Sequence, residues 1–336
     1  MEQVTDSYRG RAVLVVGADG FLGVNCIHAL RAAGARVTIL SRRTIPLTAG
    51  IVDAVVHGDL TNPETVHRAV HGQQVVFDFA GSTNPVRSNV AAAEGLSEEC
   101  IPHLNLFNTC AQLPAKPRVV FCSSRLVYGK PRYLPVDELH PLAPSSFYAA
   151  NKLLLEHHLQ VLSQISAFEY VIVRLSNPYG AHVPSAPNGQ SIINQFIRQA
   201  RRGETITLYG DGRQMRDYIF VDDAMDAFLR CAAAPPCRNE VLNLGAGHAI
   251  SLGDAASLIV RRFGGQIRTM PWPHDHKAIE TGDYYTDLSK LHRCIDLPPA
   301  RTFEQGLAQV PIEIPDNKLP SGMANRSAAM PIPHQE

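Results

Sequence analysis

Residues 11–23 read Arg-Ala-Val-Leu-Val-Val-Gly-Ala-Asp-Gly-Phe-Leu-Gly, a short apolar run that passes straight into three glycines. Arg11 to Val16 has the unbroken apolarity of a parallel strand covered on both faces. Gly17, Gly20 and Gly23 follow at GxxGxxG spacing, and Val24 to Ala33 continues with a helical pattern. In this setting Gly17 permits a tight turn, Gly20 lets backbone approach a pyrophosphate and Gly23 allows close helix packing. Phe21 and Leu22 would then open a helix whose amino terminus faces the phosphates. A glycine triplet alone could equally serve a structural turn. The second strand, Arg36 to Leu40, supplies the strand–glycine–helix–strand order of a dinucleotide site.

After that strand an NAD site usually carries an acid for the ribose hydroxyls, whereas this chain has Ser41-Arg42-Arg43. Two guanidiniums without a carboxylate suit a 2′-phosphate and favour NADP, unless they simply point to solvent. Ile51 to Val56, then Gly58-Asp59-Leu60, read as a third strand and its loop. Asp59 there would accept from an adenine amino group or cap the helix that follows. Val75 to Ala80 (VVFDFA) reads as a fourth buried strand, with Ala80-Gly81 small enough to let backbone pass close to a cofactor. Strands alternating with helices through residue 122 define an α/β fold, a doubly wound parallel sheet.

Val119 to Cys122 leads into Ser123-Ser124, and a later stretch reads Tyr148-Ala-Ala-Asn-Lys152. Four-residue spacing on a helix stacks the phenol and the ammonium on one face. A free phenol titrates near pH ~10, so a tyrosine acting as a base near neutrality needs a fixed positive charge beside it, which Lys152 can supply. Ser124 could hydrogen-bond the same substrate oxygen, and the set suits alcohol–ketone interconversion. A bare Tyr-x-x-x-Lys is also compatible with an ordinary amphipathic helix.

The carboxyl half adds Tyr170 to Leu175 with Ser176-Asn177-Pro-Tyr-Gly180, then Arg216-Asp-Tyr-Ile-Phe-Val-Asp222-Asp223, then Asn243-Leu-Gly-Ala-Gly247. Taken in order, GADGFLG, SSRLVYG, YAANK, RLSNPYG, RDYIFVDD and NLGAG resemble the extended short-chain dehydrogenases/reductases, the nucleotide-sugar epimerase, dehydratase and ketoreductase group. The resemblance covers roughly residues 10 to 305. It implies Tyr148 as general acid/base, Lys152 as the lysine that holds the nicotinamide ribose and tunes the tyrosine, and Ser124 as the hydroxyl on the reacting oxygen. It also implies Asn177 and Arg216 on the substrate diphosphate and Asp287 near the nucleoside ribose. Without it, Arg216-Asp217 would read as a surface ion pair and Asp222 as a helix cap. The Asp-Glu that 4,6-dehydratases carry after the catalytic hydroxyl is replaced by Arg125-Leu126, which argues against dehydration. Cys100-Ile-Pro-His-Leu stands where the family often has Asn-Val-x-Gly-Thr.

The expected organisation is a Rossmann domain over 1–176 plus about 216–247, a substrate domain over about 177–215 and 248–310, and a mobile tail over 311–336. Pro187 to Gln190 and Trp272 to Asp283 are candidate sugar-pocket loops. The expected function is an NAD(P)-dependent nucleotide-sugar 4-epimerase, with NADPH-dependent 4-ketoreductase as the alternative and a non-catalytic nucleotide-binding protein as a third reading. The expected substrate partner is a nucleoside-diphosphate sugar, and a homodimer would form through helices near 91 to 113 and 148 to 165.

Composition bounds the rest. The 336 residues are 45% hydrophobic with formal net charge +0, and no basic stripe suggests nucleic acid. No apolar run approaches the ~20 residues of a membrane span, and the opening MEQVTDSYRGR has no signal-peptide core, so a cytoplasmic location is expected. The seven cysteines and fourteen histidines show no metal-ligand spacing, so no metal is expected.

Overall fold

The structure, a computed structural model, describes residues 6–43, 48, 50–81, 85–90, 92–183 and 191–312. Pro187 to Gln190 and almost all of the 311–336 tail lie outside the described residues.

Seven parallel strands form the central sheet: β1 (Ala12–Val16), β2 (Arg36–Ser41), β3 (Ala54–His57), β4 (Val75–Asp78), β5 (Arg118–Ser124), β6 (Tyr170–Leu175) and, far along the chain, Glu240–Leu244. Their spatial order is Glu240–Leu244, β6, β5, β4, β1, β2, β3. The order reverses at β1, and crossovers of this kind place helices on both faces. Strand alternation shows it: Val13 and Val15 pack in one core with Ile27 and Leu30 of α1 (Phe21–Ala32), whereas Leu14 and Val16 pack in the other with Val66 and Val70 of α2 (Pro63–Val70). Leu106 and Phe107 of α3 (Ile101–Gln112) and Leu155 and Leu159 of α4 (Phe147–Ser166) complete that second face.

A third core stands apart from the sheet. It gathers Tyr179, Ile193, Phe196, Leu208, Tyr218, Phe220, Leu252, Ile259, Phe303 and Leu307. These come from β7 (Asn177–Tyr179), α5 (Ile192–Arg201), β8 (Thr205–Tyr209), β10 (Tyr218–Phe220) and α7 (Leu252–Phe263), with a short final helix, Phe303–Gln309. The strand β10 pairs with β7 rather than with the large sheet. Between β8 and β10 lies the short β9 (Met215–Arg216), and after β10 the helix α6 (Val221–Ala233) returns to the sheet and is followed by Glu240–Leu244, which is β11. Phe220 occupies the N-cap position of α6 and Asp222 falls in its first turn, so Asp222 does not cap the helix.

All seven cysteines are free thiols. No group of three or more metal-type ligands occurs among the described residues, and none of their helices is long and apolar enough to cross a membrane.

Candidate active site

The loop after β1 is shaped by close backbone approach. Gly17 has φ +76° and lies so near the end of β4 that a Cβ would sit 2.5 Å from the Phe79 carbonyl carbon. A Cβ on Gly23 would meet the Gly17 oxygen at 2.2 Å, so α1 can start where it does only if both are glycine. Gly20 takes the N-cap position with no side-chain cap, and Phe21 and Leu22 open the helix. The first amide groups of α1 are therefore available to an anion.

The residues after β2 are engaged with acids. The Arg43 guanidinium donates to Asp19 Oδ2 at 2.9 Å, and Arg42 Nη1 lies 3.6 Å from Asp59 Oδ2. Both arginines are largely exposed. Ser41 Oγ accepts from the Arg43 amide at 3.2 Å, closing a turn. Asp59 Oδ1 accepts from the Thr61 amide at 2.8 Å, a bond that, more than the Arg42 charge, holds its carboxyl below the usual range. The cap of α2 is Asn62, which accepts from the amides of Glu64 and Thr65. Asp59 thus holds the loop but does not cap that helix, and Leu60 gives its carbonyl to Asn105.

At the end of β4, Asp78 is fully buried. Its Oδ1 accepts from the Ala80 amide at 3.1 Å and its Oδ2 lies 2.6 Å from His103 Nδ1. With Asp78 as acceptor the imidazole donates from Nδ1, so its Nε2 faces Gly81. A Cβ at Gly81 would stand 3.5 Å from that Nε2 and 3.9 Å from Lys152 Nζ. Gly81 therefore opens onto the Lys152 ammonium. Asp78 within an otherwise apolar strand was the one available signal for this pair; its partner on α3 has none.

Ser124 ends β5 and accepts from the Leu126 amide at 3.2 Å, starting a 3₁₀ turn over Arg125–Tyr128. On α4, Ser146 caps the helix by accepting from the Ala149 amide at 3.3 Å, and the Tyr148 amide donates to Ser88 Oγ at 3.0 Å. These contacts fix the first turn, so Tyr148 and Lys152 project from one face. Both are buried. Burial, followed by the Cys122 thiol, raises the Tyr148 phenol well above its ordinary value; the neighbouring Ser124 hydroxyl pulls the other way and Glu99 adds to the rise. The phenol keeps its proton at neutral pH in this state. Lys152 Nζ donates to the Cys122 carbonyl at 2.9 Å and lies 4.6 Å from the Phe121 ring centroid. Glu99 belongs to a π-helical turn, Leu96–Cys100, just before α3.

Asn177 and Arg216 are brought close together. The Asn177 side chain donates to the Asp217 carbonyl at 2.9 Å and its Oδ1 accepts from Arg125. Arg216 is ion-paired with Glu280, not with its neighbour Asp217. Asp217 is fully buried and accepts instead from the Ala246 and Thr286 amides at 2.6 and 3.2 Å. The surface ion pair that Arg216-Asp217 would suggest without the family resemblance is therefore absent, because each buried group finds its own partner. Asp287 lies apart, on a cleft of about 550 Å³ bordered by the Gly245–Gly247 loop, and none of Ser124, Tyr148, Asn177 or Arg216 lines that cleft.

A dinucleotide fold with a glycine cradle at the sheet's switch point and a buried Ser–Tyr–Lys set beside it defines the nucleotide-dependent dehydrogenase class. Within that class the chain belongs to the NAD-dependent epimerase/dehydratase family, whose model matches residues 13–245. A putative UDP-glucose 4-epimerase of Methanocaldococcus jannaschii is 36% identical over 149 residues, which is 44% of this chain and only 47% of that relative. The dTDP-L-rhamnose 4-epimerase of Burkholderia thailandensis is 25% identical across 90% of this chain and 94% of its own. Among solved structures, Thermus thermophilus UDP-glucose 4-epimerase in complex with NAD superposes with a TM-score of 0.78 at 25% identity, covering 89% of this chain and 97% of the other.

Proposed function

We propose that the chain is a nucleotide-sugar epimerase acting at C4 of a nucleoside-diphosphate hexose, with Tyr148, Lys152 and Ser124 as its catalytic residues. The observation that carries this reading is the buried Tyr148 phenol beside Ser124 and one helical turn from Lys152. Gly17, Gly20, Gly23 and Gly81 form a backbone cradle that suits a dinucleotide, and the bound nicotinamide would accept and return a hydride. Ser124 would hold the C4 oxygen while Tyr148 takes the hydroxyl proton and later gives it back to the 4-keto oxygen. Lys152 would leave the Cys122 carbonyl for the ribose and bring its charge to bear on the phenol. Asn177 and Arg216 would hold the diphosphate, whereas Asp287, on its separate cleft, is left out of this site. Arg125-Leu126 supply no carboxylate after Ser124, which disfavours dehydration.

The third core supports a smaller substrate domain over about 177–215 and 248–310, to which Tyr218 and Phe220 of β10 also contribute. The 4-ketoreductase reading rests on Arg42 and Arg43, whose exposed guanidiniums could take a 2′-phosphate of NADP despite their acidic neighbours. Denaturing the purified protein and identifying any released dinucleotide separates the two, together with a panel of UDP- and dTDP-hexoses assayed with and without NADPH. Released NAD and epimer formation without added cofactor are expected. NADPH consumption only with a 4-keto sugar would replace the epimerase with the reductase.

A homodimer is part of the same reading. Phe147, Leu154, Val161 and Ile165 expose an apolar stripe along α4, and Leu96 and Ile101 add to it. Val161→Glu with Ile165→Glu is expected to convert a dimer to a monomer in sedimentation analysis; a wild-type chain that sediments as a monomer would remove the dimer.

A further inference from the structure

Three arginines are buried among the described residues: Arg125, Arg174 and Arg216. Arg174 is paired with Glu156 and Arg216 with Glu280, whereas Arg125 forms no ion pair with any carboxylate among the described residues. Its Nε donates to Asn177 Oδ1 at 3.3 Å and its Nη1 to Thr281 Oγ1 at 3.1 Å, with the guanidinium carbon 4.9 Å from the Tyr284 ring centroid. These neutral contacts orient the five-donor fork but do not neutralise it.

Arg216 makes the position more costly. Burial first, and then the Arg216 charge, lower the Arg125 guanidinium to about 10, so it remains charged at neutral pH beside a like charge. Arg216 Nη1 donates to the carbonyls of Met215 and Gly282, and Glu280 is the acid paired with it. Two guanidiniums against one carboxylate leave one positive charge, enclosed where unpaired charge is expensive. A cluster of this kind is stabilised by an anion.

Its place in the chain says which molecule brings that anion. Arg125 follows Ser124 directly and its side chain reaches Asn177, so it bridges the two ends of the site assigned above. We propose that Arg125 is a specificity-determining residue that grips an anionic oxygen group of the substrate, either a phosphate of the nucleoside diphosphate or a carboxylate on the sugar. The inference rests on the nucleotide-sugar reading only for the identity of the ligand, and its test reads binding, not turnover.

The experiment titrates full-length wild type, Arg125→Gln and Arg125→Lys with pyrophosphate, UDP, UDP-glucose and UDP-glucuronate, and records the thermal midpoint of each unliganded protein. Arg125→Gln is expected to weaken binding by about tenfold to a hundredfold, the worth of a charge-assisted hydrogen bond, with partial recovery in Arg125→Lys. A loss shared by UDP, UDP-glucose and UDP-glucuronate assigns the contact to phosphate. A loss confined to UDP-glucuronate assigns it to a sugar carboxylate. Because the unliganded charge is uncompensated, Arg125→Gln is expected to melt at or above the wild-type temperature. The proposal is overturned if wild type binds none of the four probes or if Arg125→Gln binds all of them as wild type does. It is equally overturned if Arg125→Gln melts well below wild type while Arg125→Lys restores stability without restoring binding, which would mark a structural arginine. Failure to form an epimer from any sugar would sink the 4-epimerase reading and leave these binding ratios standing.

Discussion

Tyr148→Phe is expected to lower turnover by about 10²–10⁴-fold, the range associated with a positioned general acid/base, while leaving the fold and substrate binding nearly intact. The phenyl ring fills the same buried space, and the lost hydroxyl neighbours Ser124 at the end of β5. Because burial holds the phenol neutral, abstraction of a substrate proton depends on a positive charge reaching it. Lys152→Ala should therefore reduce turnover as well, and for a different reason: it removes the ammonium now held by the Cys122 carbonyl. Single-turnover rates with the accepted nucleotide sugar, alongside its dissociation constant, check both. Undiminished turnover in either variant would displace the pair from the catalytic role.

The second large effect falls on stability. Glu156 is fully buried and receives Arg174 through three contacts, at 3.1 and 3.2 Å from Nε and 2.6 Å from Nη2. Ser123 donates to the same carboxylate, and Arg174 Nη1 donates to the Tyr128 hydroxyl, which donates to Asn243 Oδ1 at 2.6 Å. Burial works against the Arg174 charge, but Glu156 and Tyr128 outweigh it and the net shift is upward. Glu156→Ala strands that guanidinium inside the protein and should lower unfolding free energy by about 3–5 kcal/mol. The companion double variant, Glu156→Leu with Arg174→Met, removes both charges and should recover most of the loss. Denaturant midpoints of the three proteins test this; a single variant within about 1 kcal/mol of wild type would show that water or another group compensates Arg174.

What could be read from the chain, and what could not, divides along sequence distance. Arg11 to Gly23 carried the fold because strand, turn and helix are neighbours there, and the steric demands on Gly17 and Gly23 arise within a few residues or at the adjacent strand. The Tyr148–Lys152 spacing was legible for the same reason, since four residues on a helix fix their own geometry. The partners of buried charges were not. Nothing near Arg216 in sequence announces Glu280, and nothing near His103 announces Asp78, because those pairs form only when separate segments pack. The Arg216-Asp217 pairing that the two residues alone would suggest is absent because Asp217, in the link between β9 and β10, is buried against the amides of Ala246 and Thr286. Arg42 and Arg43 were legible as cations, but their acids, Asp59 and Asp19, sit on the loops after β3 and β1.

The order of the sheet has a consequence for how the chain is made. Every residue of β6 is buried, and its outer neighbour is β11, whose five residues arrive some sixty-five positions later. During synthesis the apolar sequence Tyr-Val-Ile-Val-Arg-Leu therefore emerges with one edge unpaired and stays so until Glu240–Leu244 follows. Tyr8, at the other end, waits for Leu229 to receive its hydroxyl proton at 2.9 Å. Completion of the nucleotide-binding half is thus a late event in the life of the nascent polypeptide, and the core around Phe220 closes later still, because Leu252, Ile259, Phe303 and Leu307 follow β11 in the chain.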